Sequence, residues 1–331
     1  MKIHKERFRL YILSALTLVI IFDSQTALQS IAASIELCIK SVIPGVFPFL
    51  LLGSAIACEI RNTQIPYLEN RLPKGAGAFF IIGQICGYPV GAKLLQDAVN
   101  QRTIDRESAV RMMCFCNNAS PAFIIGILTS MFIDKWTALY LWIIQIVTSL
   151  ILGIILPGHP GKAVNDRSVP KQNLSSILTD VIKTIANICG WVIVFGMLVS
   201  YVYKFTVFRK NTFASVIISG FFELTNGVFA LRNIRSESIR LILSSIFLSF
   251  GGVCVLMQTR TVAPDMDIKH YFLSRLLHAA ISASLCAVIS PFIFPADSTA
   301  LNSIPLILCV TAVGIIMLIF NKKTVAIGAK L

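Results

Sequence analysis

Residues 85–94 read ICGYPVGAKL, two glycines, a proline and a lysine set into an otherwise apolar run. Breaking a helix there frees backbone N–H and C=O groups. At bilayer depth such groups are tolerated only where protein or a water-filled cavity satisfies them. Freed N–H groups at the start of a half-helix attract anions, and freed carbonyls suit small cations. Gly87, Pro89 and Gly91 supply the turn, Tyr88 stands within it, and Lys93 adds a positive charge on the return arm. Two readings stay open for Lys93: an anion ligand facing a cavity, or a side chain that snorkels to the interface.

A second break, CNNASP at 116–121, puts Asn117, Asn118, Ser120 and Pro121 inside another apolar stretch. These amides and the hydroxyl offer hydrogen bonds to a polar solute or oxygens to a small cation. The alternative is hydrogen bonding between helices, worth about 1 kcal/mol in membranes. Later in the chain, Glu223, Thr225 and Asn226 fall in ELTNG at 223–227, and Ser249, Gly251, Gly252 and Gln258 in SFGGVCVLMQ at 249–258. A carboxylate at that depth is costly and marks function or pairing. Glu223 is therefore expected to bind a coupling proton or cation, or to pair with Lys93.

The elements that must hold these residues are membrane helices. Of 331 residues 56% are hydrophobic and only 14% charged, where a soluble domain carries about a quarter, and the mean hydropathy is +0.78. Such a chain is expected to be an all-α polytopic membrane protein. The net charge of +13 sits between apolar segments, as in loops obeying the positive-inside rule, and not as a nucleic-acid surface. The nine cysteines lie in or beside apolar segments without a CxxC pair, and the four histidines, His278 among them, are scattered; both point to packing. No GxSxG, P-loop or Rossmann fingerprint and no nucleophile–base pair occurs, so no enzyme, metal or cofactor is expected beyond a coupling proton or cation.

Apolar runs at 10–22, 43–57, 109–132, 136–156, 185–203, 241–257, 276–292 and 304–320 predict about eight spans. The stretches 76–98 and 214–231 are predicted to enter and leave on one side as two re-entrant hairpins. Segments 26–42 and 174–184 read as amphipathic helices. The run 10–22 has the charge and length of a signal peptide, but the helical DSQTALQSIAASIEL after it favours an uncleaved anchor. Thr103 is a candidate helix cap before the third span. With the N-terminus, the loops 60–75, 99–107, 158–173 and 258–275 and the tail inside, the positive-inside rule is met; Lys204, Arg209, Lys210, Arg232 and Arg235 then face outside, against it.

The two halves repeat. Ile39, Lys40, Ser41 and Gly53 align with Ile182, Lys183, Thr184 and Gly196 at one offset, and Gly91 aligns with Gly227 at a similar one. In that orientation the copies are inverted, and Gly/Pro-interrupted segments at matching places are the best sequence pointer to a transporter's binding site. The expected organisation is an anchor (1–25), a first repeat (26–157), a cytoplasmic linker rich in proline (158–173), a second, inverted repeat (174–321) and a basic tail (322–331).

GYPVGAK (87–93), ESAVRMMCFCNNASPAFIIG (107–126) and SFGGVCVLMQ (249–258) together resemble the membrane proteins of the nucleoside-recognition, or Gate, domain family, nearest its sporulation integral membrane branch of the YlbJ or SpoVV type. The resemblance covers roughly residues 28–320. It implies a Gate fold related to concentrative nucleoside transporters, a place in the cell membrane or outer forespore membrane of a spore-forming bacterium, and movement of a small polar or anionic solute, dipicolinate above all. No constellation that reads a nucleoside is visible. The resemblance carries Gly87, Tyr88, Pro89, Gly91, Lys93, Asn117, Asn118, Ser120, Pro121, Gly251, Gly252 and Gln258 as characteristic positions. The function expected is alternating-access transport of a small, anionic metabolite; the alternative is a non-transporting scaffold needed for spore formation. The partners expected are the solute, the lipid bilayer and, allowing for a homo-oligomer, a second copy, with no nucleic acid.

Overall fold

The computed structural model describes residues 2–60, 76–132, 134, 136–156, 173–205, 213–295 and 297. The basic loop at 61–75, most of the linker, the 304–320 span and the tail lie outside them. The described residues form helices and turns without a strand, in the order α1 (Lys2–Phe22), α2 (Ser24–Leu37), α3 (Ile43–Ile60), α4 (Ala76–Cys86), α5 (Val90–Asn100), α6 (Arg106–Cys116), α7 (Pro121–Leu128), α8 (Thr137–Ile155), α9 (Leu174–Phe205), α10 (Phe213–Phe222), α11 (Leu224–Ala230), α12 (Glu237–Phe250), α13 (Gly252–Val262) and α14 (Ile268–Ile293).

Among the described residues, six stretches are long and apolar enough to cross a membrane: Ser24–Ile56, Arg106–Met131, Thr137–Ile155, Leu174–Lys204, Glu237–Val262 and Ile268–Ile293. The chain is thus an all-helical integral membrane protein. Of the eight spans expected, the 10–22 run is a shorter apolar helix, Leu13–Phe22, and the last is among the residues not described.

Three boundaries differ from the expectation. The amphipathic segments at 26–42 and 174–184 are not separate interfacial helices; each continues into the span after it. In the first, a π-helical turn at Cys38–Val42 joins α2 to α3. Proline at 44 lacks an N–H and clashes with the carbonyl four residues back; the wider turn, with Ile43 N–H bonded to Cys38 O, lets the helix pass on. Helix α6 is capped by Asp105, which accepts from the Ser108 N–H at 2.9 Å, and not by Thr103, whose hydroxyl turns to Ala98 O. Helix α14 begins at Ile268 under an Asp267 cap, so Arg275, grouped by sequence with the 258–275 loop, lies two turns inside a span.

Both halves follow one plan: a long helix (α2–α3, or α9), a helical hairpin (α4–α5, or α10–α11), a long helix broken midway (α6–α7, or α12–α13) and an unbroken one (α8, or α14). In the first hairpin Gly83 and Gly91, on opposite arms, both abut the Cys116 carbonyl at the end of α6. In the second, Gly227 and Gly220 bring their own two arms into backbone contact. No β-carbon fits at these three close approaches, and that absence lets the backbones meet. Each tip rests on the break in the helix that follows: Gly87 on Ser120, and Phe222 on Gly252.

Candidate binding site at the paired breaks

The first tip is Gly87-Tyr88-Pro89, with Gly87 at φ +78° and a cis Tyr88–Pro89 peptide. A β-carbon on Gly87 would fall 2.7 Å from Ser120 Cβ and 2.8 Å from Ser120 N. Left-handed backbone and close approach together make glycine the residue for this place. At the break below it, Ser120 caps α7 by accepting from Phe123 N–H at 3.2 Å, and Pro121 takes the first helical position, where its missing N–H is no loss.

Asn117 and Asn118 are 0% and 1% exposed. The Asn117 amide donates to Tyr271 Oη at 2.7 Å and Thr259 Oγ1 at 3.3 Å, and its oxygen accepts from Ala92 N–H at 3.3 Å. The Asn118 amide donates to Phe115 O at 2.7 Å, and its Oδ1 accepts from Arg275 at 3.0 Å. Arg275 Nη1 also donates to Asn117 O at 3.0 Å, and Nη2 to Cys114 O. Its guanidinium lies 5.2 Å from the Tyr271 ring centroid, within cation–π range. A cation is well placed there, since unsatisfied carbonyls end α6 and carry the negative end of its dipole.

At the second tip Glu223, 2% exposed, caps α11: its carboxylate accepts from Thr225 N–H at 2.9 Å and Asn226 N–H at 2.6 Å. The second break uses glycine alone, with Gly251 at φ +79° and Gly252 at φ +76°. Beside it Ser249 and Gln145 exchange hydrogen bonds, and the Gln145 amide also reaches Ser282 at 2.9 Å. His278 Nε2 meets Ser149 at 2.9 Å.

Between the tips lies a cavity lined by Tyr88 and Cys86 of the first, Ser120 and Phe123 of the first break, Glu223 and Thr225 of the second tip, and Val255 and Gln258 after the second break. Val42 and Val46, beside the π-turn, and Ile188 and Val192 of α9 close it. It holds about 50 Å³, room for one or two waters and well below the roughly 300 Å³ at which ligand pockets begin. Among the described residues the buried Tyr88 hydroxyl meets no hydrogen-bond partner, nor does either amide atom of Gln84 one turn earlier.

The residues singled out by sequence therefore divide. Tyr88, Ser120, Glu223, Thr225 and Gln258 line one cavity. Gly87, Pro89, Gly91, Gly251 and Gly252 shape the backbone around it, Asn117 and Asn118 tie the first break to α14, and half-buried Asn226 gives its N–H to Glu223. Lys93 does not pair with Glu223; its ammonium lies 3.4 Å from Asp97 and 3.5 Å from Asp180. Sequence reasoning passed over Arg275, Tyr271 and the aliphatic cavity residues Val42, Val46, Ile188 and Val192. The Asp267 cap signal ahead of KHYFLSR was enough to place Arg275 in a helix; the aliphatic residues carry no such signal.

Two hairpins and two broken spans closing on one small cavity define a polytopic membrane protein with a cavity at its helix breaks. The chain is 24% identical, over 81% of its length and 78% of the relative's, to a protein of Bacillus subtilis (strain 168) named sporulation integral membrane protein YlbJ. No protein-family model matches the chain, and no solved structure does.

Proposed function

We propose that this protein is a transporter that moves a small polar, anionic metabolite across a sporulation membrane by alternating access, with a dipicolinate-like solute as the candidate. The observation that carries the reading is the central cavity, to which both hairpin tips and both broken spans contribute. Discontinuous helices meeting at one site are the recurring plan of secondary transporters. At about 50 Å³ the cavity is closed to a metabolite in this conformation, as an occluded state requires, and opening would part the tips. The inverted relation of the halves, the Gate-type fold, eight full spans with re-entrant hairpins, and the outer forespore membrane as the place of action belong to the same proposal. Likeness to a protein named for sporulation supports the setting. Glu223 is the group in this reading that takes up a coupling proton or cation.

A second reading, a membrane scaffold needed for spore formation, draws on one observation: Asn117 and Asn118 are spent on bonds within the first break and to α5, α13 and α14. Metabolite profiling of the sporulating cell and forespore in a strain lacking the gene decides between them. Transport predicts that one solute stays on the wrong side of a membrane, and that Gln258→Leu, a cavity change, reproduces the defect at normal protein level. Unchanged solute distribution with failed spore formation would leave the scaffold.

A further inference from the structure

Resting on the transport reading, we propose that Glu223 is a proton-operated latch: as a carboxylate it holds the second tip shut by capping α11, and one proton taken up from the cavity releases it. Three carboxylates cap helices among the described residues. Two of them, Asp105 and Asp267, stand exposed at the loop ends of α6 and α14. Glu223 is the third, 2% exposed and on the wall of the central cavity. A neutral cap would serve α11 without burying a charge, as Ser120 serves α7 on the same wall. A buried carboxylate is costly unless paired, and at membrane depth such groups mark proton relays or ion paths. Among the described residues that line the cavity none is cationic, and Lys93 is held by Asp97 and Asp180. The titratable groups around Glu223 are Cys86 and Tyr88 on the cavity wall, and Cys38 and Cys254 of the apolar cluster against which Cys189 and Phe222 pack. Helix α10 carries none. Glu237 and Arg240 lie in the first turn of α12, Lys183 of α9 and Arg260 of α13 are exposed, and Lys204 pairs with Asp23.

Both carboxylate oxygens are in use, Oε1 by the Thr225 N–H at 2.9 Å and Oε2 by the Asn226 N–H at 2.6 Å. A proton adds to one of them and no other covalent bond changes. The carboxylate becomes a neutral carboxyl, whose hydroxyl oxygen is a donor and a poor acceptor. One N–H of α11 then loses its partner, and the other keeps a weaker bond without charge assistance. Helix α11 has only seven residues, so the first turn that depends on its cap is much of its length. Loosening it frees the wall that carries Glu223, Leu224 and Thr225 and parts the second tip from the first. Protonation also neutralises the one acidic side chain among those lining the cavity, which as a carboxylate repels an anionic solute. A metal ion fits this place less well than a proton. The cavity holds about 50 Å³, the space of one or two waters, so a cation would enter stripped of its hydration shell. Among the described residues no three His, Cys, Asp or Glu side chains gather to replace that shell.

The test follows amide hydrogen exchange at Thr225 and Asn226 in the full chain in nanodiscs, corrected for the pH dependence of chemical exchange. Protection there is expected to fall about tenfold or more between about pH 8 and about pH 4, the size of one lost charge-assisted hydrogen bond. Phe123, under the neutral Ser120 cap, is expected to stay level. Glu223→Gln, uncharged at every pH, is expected to show the low protection throughout, and replacing potassium by sodium at fixed pH to change nothing. In liposomes the wild type should take up labelled pyridine-2,6-dicarboxylate faster from an acidic outside than at equal pH, and Glu223→Gln should lose that response. Level protection in the wild type overturns the latch, and so does protection that follows sodium and not pH. Should Glu223→Gln fail to fold, the wild-type pH series decides alone. Acid-dependent protection with no dicarboxylate uptake in any gradient keeps the latch and sinks the transport reading; uptake with level protection does the reverse.

Discussion

The two breaks solve one physical problem by different means. Each must stop a helix inside an apolar environment without abandoning its backbone groups. The first does so with side chains: Asn118 folds back onto Phe115 O, while Arg275 reaches across from α14 to Asn117 O and Cys114 O. The second does so with backbone freedom, two successive glycines in the left-handed region that set α13 off from α12 without a polar side chain at the turn. The hairpins differ in the same sense. The first hairpin's glycines grip the neighbouring helix end, and the second's grip each other. The two breaks fall at matching places in the order of helices, yet their ends are satisfied by different means. The first break depends on distant residues, and the second is nearly self-contained.

That contrast is broken most readily at Arg275. Arg275→Met removes three charge-assisted hydrogen bonds and leaves buried carbonyls unmet, which is expected to cost about 3 kcal/mol or more. Unfolding in detergent measures it, and a loss under 1 kcal/mol would mean the first break also holds itself. Next come the tips. Gly87→Ala combines a left-handed φ with a collision on Ser120 backbone and is expected to cost about 3 kcal/mol. Gly251→Ala meets only the Val255 side chain, at 3.0 Å, and should cost about 1–2 kcal/mol; equal losses would erase the distinction between a tip that grips and a turn that merely bends.

A smaller effect is expected at the polar ties. Asn117→Ala forfeits bonds to Ala92, Tyr271 and Thr259 and should lose about 2 kcal/mol, against about 0.6 kcal/mol for Ser249→Ala beside the second break. The reverse ranking in the same unfolding assay would overturn the side-chain-versus-backbone contrast.

The smallest difference lies in the caps of the two broken spans. Asp105 caps α6 and Ser236 caps α12, so either one changed to alanine should lose about 1 kcal/mol at neutral pH. The first depends on pH through its own carboxyl. Partial burial pushes the Asp105 carboxyl up, but hydrogen bonds from Ser108 outweigh it and hold the group below its ordinary 3.8. A carboxyl lowered by folding contributes stability above its unfolded value, and that contribution is lost as pH falls through the folded one. The Asp105→Ala penalty should therefore shrink below about pH 4. An Asp105→Ala penalty that stays level through the acid limb would remove Asp105 from the account.

Much of this architecture was legible from residue types. Gly-Tyr-Pro in an apolar run, and Asn-Asn-Ala-Ser-Pro in the next, mark the places where α4 and α6 end, because those residues break helices or compete for their backbone groups. Gly251–Gly252 marks the end of α12 for the same reason. Less legible was whether a helix goes on. A polar stripe at 26–42 looked like a surface helix, yet the chain there passes through a π-turn into α3, because helical hydrogen bonding continues wherever nothing ends it. Charge misled at 258–275, where a basic residue stands for a loop in hydropathy reasoning while Arg275 is buried against α6.

By itself the sequence determined that this chain lives in a membrane, where its helices break, and that the breaks recur in both halves, since hydropathy and backbone propensity are local properties. The tertiary structure decided which polar groups remain for a ligand. Asn117 and Asn118 were claimed by packing, Lys93 by two carboxylates, and Tyr88, Ser120, Glu223, Thr225 and Gln258 were gathered around one cavity. Partner choice among groups more than a hundred residues apart is set by how helices pack, and no local pattern encodes it.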